Sequence, residues 1–135
     1  MQTSFTDKQL LDKDNKSSES ILRKCVHCGM CNATCPTFCV NGEELEGPRG
    51  RIYLIKDMLE NKKPANKKVV KHIDSCLSCY SCMTTCPSGV NYMHLIDHGR
   101  NYVEETYKRP FFDRLFRNVL SFVLPRPKVF LVLAY

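Results

Sequence analysis

The sequence predicts an all-α fold, and three observations lead to this prediction. Apolar residues recur at helical spacing in several segments, no segment alternates apolar and polar residues as a half-buried strand does, and no hairpin turn joins candidate strands. The length of 135 residues suits one domain with one hydrophobic core. Hydrophobic residues make up 43% of the chain and charged residues 25%, which excludes general disorder and a membrane-spanning bundle.

Capping residues and prolines mark the boundaries of the predicted helices. Thr6-x-x-Gln9 has the form of a capping box, which predicts a helix in the N-terminal arm. Pro48 suits the first turn of a second helix, and Pro64 follows its end. Four apolar stripes at helical spacing define the remaining predictions: Ile52, Ile55, Met58 and Leu59; Val69, Val70 and Ile73; Tyr92, Leu95, Ile96 and Val103; and Phe112, Leu115, Phe116, Val119 and Leu120.

Cysteine is the unusual residue type in this composition, because the chain contains nine. An odd number fits a complete set of disulfides poorly, and the N-terminal segment lacks the basic and apolar runs of a secretory signal. We therefore expect a cytoplasmic chain in which closely spaced cysteines bind metal.

Eight of the nine cysteines belong to an internal repeat, CVHCGMCNATCP at 25–36 and CLSCYSCMTTCP at 76–87. Both runs read C-x2-C-x2-C-x3-C-P, which is the bacterial ligation pattern of [4Fe–4S] clusters, and in two-cluster proteins the fourth cysteine of each run ligates the other cluster. The sequence therefore predicts two [4Fe–4S] clusters with crossed ligands. The predicted ligands are Cys25, Cys28, Cys31 and Cys86 for cluster 1, and Cys76, Cys79, Cys82 and Cys35 for cluster 2.

A pair of structural zinc sites is the alternative interpretation of the cysteine runs. Zinc sites more often use separated C-x2-C pairs or mixtures of cysteine and histidine. Two complete runs that each end in proline therefore favour iron–sulfur clusters over zinc.

The net charge of +6 is spread unevenly along the chain. The cysteine-rich segments 25–55 and 73–99 carry −1 and −2, while segments 56–72 and 100–135 carry +4 each. The sequence contains no motif that reads nucleic acid, so the basic segments are interpreted as solvated faces or docking surfaces.

Three segments carry a resemblance to a known family: ILRKCVHCGMCNATCPTF, GPRGRIYLIKDMLE and CLSCYSCMTTCPSGVNY. They resemble the iron–sulfur subunits of bacterial glycolate oxidase (glycolate dehydrogenase), and more broadly those of anaerobic glycerol-3-phosphate dehydrogenase and heterodisulfide reductase. The resemblance covers about residues 20–130 and implies a helical ferredoxin-like domain that binds two [4Fe–4S] clusters. In that family the domain is followed by repeats with CCG-type motifs, so we expect the chain to be part of a longer polypeptide.

The resemblance also implies a function in electron transfer. A flavoprotein subunit of the complex would oxidise glycolate to glyoxylate, and this chain would relay the electrons without a catalytic residue of its own. The chain contains neither a G-x-G-x-x-G fingerprint nor a P-loop, in keeping with a substrate bound by the partner. Two alternatives stay open: the iron–sulfur subunit of another dehydrogenase, of the glycerol-3-phosphate, lactate or heterodisulfide reductase type, and a free dicluster ferredoxin.

We expect three parts along the chain: an N-terminal helical arm at 1–24, the dicluster ferredoxin domain at 25–110, and an amphipathic C-terminal segment at 111–135. Residues 108–124 combine basic side chains with a Phe and Leu stripe. Core packing, docking on a partner subunit and contact with the inner face of the membrane are all open for this stretch. Its apolar runs are shorter than the roughly 20 residues that span a bilayer.

Six residues outside the cysteine repeat are further candidates, each with an ordinary structural role as the alternative. Cys39 is a free thiol or a substitute ligand. His94 and His98, four apart on a predicted helix, are surface residues or metal ligands, and His27 is exposed or packs beside cluster 1. Arg49 and Arg51 begin the helix after the first run, and either could lie near a cluster or at a partner surface.

Overall fold

The computed structural model describes residues 1–134, and this part of the chain is helical without a β-strand, as predicted. Its α-helices are α1 (Lys13–Lys24), α2 (Pro36–Asn41), α3 (Pro48–Asn61), α4 (Lys67–Asp74), α5 (Ser81–Thr84), α6 (Tyr92–Thr106), α7 (Phe111–Val123) and α8 (Pro127–Ala134). Single turns of 3-10 helix cover Gln9–Leu11, Met30–Asn32 and Glu44–Glu46. Tyr135, the last residue of the predicted C-terminal segment, lies outside the described residues.

The N-terminal helix begins later than the capping box predicts. Gln9 Oε1 does accept the Thr6 backbone N–H at 2.8 Å, but this pair starts only the turn Gln9–Leu11. The Gln9 side chain is buried and donates from Nε2 to the carbonyls of Leu59 and Glu60, which anchors the arm to the end of α3. Asp12 then caps α1 by accepting from the first backbone N–H groups of that helix.

The core lies between α1, α3, α4 and α6, which contact one another in pairs. Its fully buried apolar side chains come from all four helices: Leu22, Ile55, Ile73, Leu95, Ile96 and Val103. Helices α3 and α6 approach closely at Gly99, where an added Cβ would lie 2.8 Å from Ile55 Cγ1. The apolar stripes that predicted these helices are therefore the faces that meet in the core.

The internal repeat of the sequence is also a repeat of the fold. Helix α1 leads into the first cysteine run and α4 leads into the second, but α2 lies between the first run and α3, whereas α6 is the next helix after the second run. Leu22 and Ile73, at equivalent positions 51 residues apart, are both fully buried. Thr85 Oγ1 donates to Thr34 Oγ1 at 3.2 Å, and these residues are equivalent too. The two halves therefore meet at a pair of equivalent threonines.

Helix α7 corrects one expectation, because no residue of this helix is buried and core packing of its apolar stripe is therefore wrong. Phe112 is 81% exposed and Phe116 is 63% exposed. The start of the helix is held by Arg109, which forms ion pairs with Asp74 of α4 and with acidic neighbours. In the described part of the chain, every helix is too short or too polar to cross a membrane.

Candidate metal centres

The eight repeat cysteines line two neighbouring cavities. Cavity 1 is open to solvent, has a volume of about 450 Å³ and contains Cys25, Cys28, Cys31 and Cys86 in its wall; cavity 2 is also open, has a volume of about 300 Å³ and contains Cys35, Cys76, Cys79 and Cys82. Cys82 also reaches the wall of cavity 1, because the two cavities adjoin. Each cavity thus combines three cysteines of one run with the last cysteine of the other run.

Local backbone conformation shapes both runs in the same way. The first cysteine of each run follows a helix end, after α1 for Cys25 and after α4 for Cys76. The residue before the second cysteine and the residue after it are left-handed in both runs: His27 and Gly29 with φ of 59° and 84°, Ser78 and Tyr80 with φ of 52° and 56°. Residues other than glycine seldom adopt this conformation, and such backbone strain clusters at functional sites.

Burial keeps the central thiols neutral unless a cation compensates them. Burial raises the pKa of the Cys31 thiol, and the neighbouring thiols of Cys25, Cys86 and Cys28 add to this shift. Burial likewise raises the pKa of Cys82 to about 12, and the other thiols that act on it are those of Cys31, Cys76, Cys35 and Cys79. The neighbours of Cys31 belong to cavity 1, and three of the four neighbours of Cys82 belong to cavity 2. A metal that binds thiolates must therefore displace protons here.

Within residues 1–134, the cysteine sulfurs are not gathered as tightly as the ligands of one tetrahedral zinc ion. A tetrahedral zinc site with Zn–S distances of about 2.3 Å brings its sulfurs within roughly 4 Å of one another. Among the described residues, no three cysteine sulfurs lie within 4.8 Å of one another. Eight cysteines in two cavities with this wider spacing fit two [4Fe–4S] clusters.

Polar groups around the cavities are directed at the sulfurs. The Val90 backbone N–H donates to Cys86 Sγ at 3.5 Å, and Tyr92 Oη donates to Cys76 Sγ at 3.7 Å. Burial and the nearby Cys76 thiol raise the pKa of Tyr92, so its hydroxyl stays a donor. Hydrogen bonds of this kind tune the potential of an iron–sulfur cluster.

The two candidate arginines lie at different cavities. Arg49 belongs to the wall of cavity 1, and its Nε forms an ion pair with Glu44 at 2.5 Å near the surface. Arg51 is 1% exposed, lines cavity 2 and directs Nη1 at Cys35 Sγ at 3.8 Å. The solvated role that the sequence left open for both arginines is therefore wrong for Arg51.

The sequence did not indicate that an acidic residue, Glu46, is buried next to Arg51. The Glu46 side chain is 2% exposed and accepts from Arg51 Nη2 at 2.9 Å and from Ser75 Oγ, and His72 Nδ1 lies 2.8 Å from it. Burial opposes ionisation of Glu46, but the hydrogen bonds of Ser75 and His72 and the nearby Arg51 guanidinium lower its pKa. His72 stands on the apolar stripe of α4 beside Ile73, which is the one feature that could have indicated a buried histidine.

The remaining candidates take no part in the cavities, except His27. Its ring lines cavity 1 and packs edge-on against Tyr53. Cys39 lines neither cavity, is exposed and donates to the Ala33 carbonyl at 3.4 Å. His98 Nδ1 is 2.7 Å from Ser18 Oγ, and within residues 1–134 neither His94 nor His98 belongs to a group of three close metal-ligating side chains.

The comparisons with known proteins agree with this geometry. Residues 21–90 match the 4Fe-4S dicluster domain family. The chain is 52% identical over 130 residues to the glycolate oxidase iron-sulfur subunit of Escherichia coli (strain K12), an alignment that covers 96% of this chain and 32% of that protein. It is 32% identical over 117 residues to the probable glycolate oxidase iron-sulfur subunit of Bacillus subtilis (strain 168), covering 83% of this chain and 26% of that protein.

A third relative belongs to another complex. The mitochondrial succinate dehydrogenase [ubiquinone] iron-sulfur subunit of Candida glabrata is 27% identical over 84 residues, which cover 58% of this chain and 33% of that protein. The chain thus spans about a third or less of the length of these relatives. No solved structure matches. With more than half of its length matched and its eight repeat cysteines gathered at two cavities in that stretch, the chain belongs to the 4Fe-4S dicluster domain family.

Proposed function

We propose that this chain is an electron-transfer iron–sulfur subunit of a glycolate oxidase complex. It accepts electrons from a flavoprotein subunit that oxidises glycolate to glyoxylate, and it passes them onward. The observation that carries the proposal is the 52% identity, over 96% of this chain, to a relative named for that role. Residues 25–110 form the dicluster domain in this proposal, between the arm at 1–24 and the segment at 111–135.

The proposed ligand sets are crossed between the two runs. Cluster 1 takes Cys25, Cys28, Cys31 and Cys86, and cluster 2 takes Cys76, Cys79, Cys82 and Cys35. The sulfurs that share each cavity wall support this assignment.

Each bound cluster supplies one-electron chemistry, and the protein holds, shields and tunes it. Apolar side chains such as Ile52 and Val90 line cavity 1 and keep water from the sulfurs. Donors such as Tyr92 Oη act on the sulfurs from inside. Cys28 and Cys79 are exposed at equivalent positions of the two runs, so each cavity wall includes an exposed cysteine, where a redox partner can approach.

A subunit of a different dehydrogenase is the second candidate, favoured by the similarity to a succinate dehydrogenase iron-sulfur subunit. That similarity covers 58% of this chain, against 96% for the glycolate oxidase relative. The more extensive match favours glycolate as the source of electrons.

The C-terminal helix α7 is our candidate for peripheral contact with the anionic inner face of a membrane. Phe112 and Phe116 are exposed on the same helix as Arg114 and Arg117, the combination that binds an interface in-plane. Flotation of the holo chain with anionic and with neutral liposomes tests this contact. We expect recovery with the anionic vesicles, and recovery only in the soluble fraction contradicts it.

Low-temperature electron paramagnetic resonance (EPR) of the anaerobically purified complex tests the proposed function. Spectra are recorded as isolated, after glycolate, after lactate or glycerol 3-phosphate, and after dithionite. Cluster signals that develop with glycolate support the proposal. Signals with dithionite but not with glycolate leave a dicluster carrier and contradict the glycolate role, and signals with another substrate alone identify the second candidate.

A further inference from the structure

Arg51 is the most deeply buried charged side chain of the region around the cavities, at 1% exposure. Its Nε donates to the His72 carbonyl at 2.6 Å, and its Nη2 lies 2.9 to 3.0 Å from Glu46 Oε2, Ser75 Oγ and Thr37 Oγ1. These contacts leave Nη1 directed at Cys35 Sγ, 3.8 Å away. A guanidinium with its donors fixed in this way cannot turn away from the sulfur.

The partners of Arg51 come from the flanks of both cysteine runs. Thr37 follows Cys35 by two residues and its Oγ1 lies 3.2 Å from the Cys35 sulfur, whereas Ser75 directly precedes Cys76. Arg51 therefore ties the segment that carries Cys35 to the segment that carries Cys76. These two cysteines belong to different runs and share cavity 2.

The ion pair next to cavity 2 is buried, whereas the ion pair next to cavity 1 is exposed to solvent. The Arg51–Glu46 pair is 1% and 2% exposed, so solvent screens it little. The Arg49–Glu44 pair at cavity 1 is 32% and 48% exposed, and water and salt weaken its field. A donor from a buried cation to a ligand sulfur favours the reduced, more negative state of a cluster.

We propose that Arg51 is a positioning residue for cavity 2: it fixes Cys35 against Cys76 and raises the reduction potential of the cluster in that cavity more than that of the cluster in cavity 1. This inference rests on the proposed function only in that cavity 2 holds a [4Fe–4S] cluster. It does not depend on which substrate supplies the electrons.

Anaerobic redox titration of the holo chain, followed by EPR, tests the inference in Arg51→Lys and Arg51→Gln, with Arg49→Gln as the matched control at cavity 1. Cys79→Ala identifies the midpoint of cluster 2, since that midpoint disappears in this variant. We expect Arg51→Gln to lower the cluster 2 midpoint, or to lose that cluster alone. Arg51→Lys keeps the positive charge but loses the planar set of guanidinium donors, so it should lower the cluster 2 midpoint by less than Arg51→Gln does. Arg49→Gln leaves the cluster 2 midpoint unchanged.

Equal shifts of both midpoints, equal loss of both clusters, or unchanged midpoints in both Arg51 variants overturn the inference. Failure of the proposed function gives a different result. In that case wild-type protein lacks two [4Fe–4S] signals with dithionite, or it has them and glycolate does not reduce them.

Discussion

Cavity 1 and cavity 2 share a backbone plan but differ in the charges that border them. The same left-handed residues, at 27 and 29 and at 78 and 80, turn each run around its cavity. The arginines of the GPRGR segment break this symmetry, because Arg49 pairs with Glu44 near the surface and Arg51 pairs with Glu46 in the interior. A repeat can thus supply two equivalent sets of sulfurs, while one unrepeated segment makes their environments different.

The largest difference between the cavities is expected in the free energy of unfolding that is lost when the ion pair beside each cavity is broken. Arg51→Ala leaves Glu46 as a buried charge without its cation and should cost about 3–5 kcal/mol. Arg49→Ala removes a solvated pair and should cost less than about 1 kcal/mol. The urea midpoints of the two holo variants measure this difference. Equal midpoints would show that the burial of the Arg51 pair does not govern stability.

The next largest loss of stability is expected at the contact between α3 of the first half and α6 of the second. Gly99→Ala places a Cβ 2.8 Å from Ile55 Cγ1, and overpacking of this kind costs about 1–3 kcal/mol. Thermal unfolding of the holo variant should show a lower Tm. Ile55→Ala removes both Cγ1 and Cδ1 of that side chain, so Gly99→Ala should cost less in an Ile55→Ala background than in wild type. An equal cost in the two backgrounds would mean that the close approach of α3 and α6 is not the cause.

The helices that lead into the two runs have different caps, and their pH dependence should differ accordingly. Asp12 caps α1 and Asn66 caps α4, so Asp12→Ala and Asn66→Ala should each cost about 1 kcal/mol. The backbone N–H of Asn15, opposed by slight desolvation, lowers the pKa of Asp12 in the folded state. The contribution of Asp12 is therefore present above its unfolded pKa and is lost as the pH falls through the folded value.

Urea unfolding of the two cap variants at a series of pH values measures this difference. The cost of Asp12→Ala should shrink in acid, and the cost of Asn66→Ala should stay constant. Asp12→Asn keeps a good cap without the charge, so it should match wild type near neutral pH. A cost of Asp12→Ala that does not change with pH would contradict the charged cap.

Substitution of Cys39 should have the smallest effect on the clusters, because this cysteine of the first half has no cysteine counterpart in the second half. The equivalent position holds Val90, and Cys39 itself is exposed and lies outside both cavities. Cys39→Ser should leave the iron and sulfide content per chain unchanged. A lower iron content would instead make Cys39 a ligand.

The sequence predicted the helices and the cysteine repeat because both depend on local spacing. Pro48 and the stripe that includes Ile55 place α3 correctly, and two runs with the same cysteine spacing indicate two similar sites. The burial of Glu46 could not be predicted, because it depends on His72 and Ser75, which lie 26 and 29 residues further along the chain. The exposure of the apolar stripe of α7 could not be predicted either. An amphipathic pattern indicates an apolar helix face, but it does not tell which surface covers that face.

The crossed assignment of the cysteines is the central claim, and Mössbauer quantification of intact [4Fe–4S] clusters in two double variants tests it most directly. Cys35→Ala with Cys79→Ala removes two cysteines of cavity 2 that belong to different runs. Cys28→Ala with Cys35→Ala removes two cysteines of one run that line different cavities. We expect the first variant to keep about half of its [4Fe–4S] clusters and the second to keep none intact. The reverse result, with the first variant losing both clusters and the second keeping one, would contradict the crossed assignment.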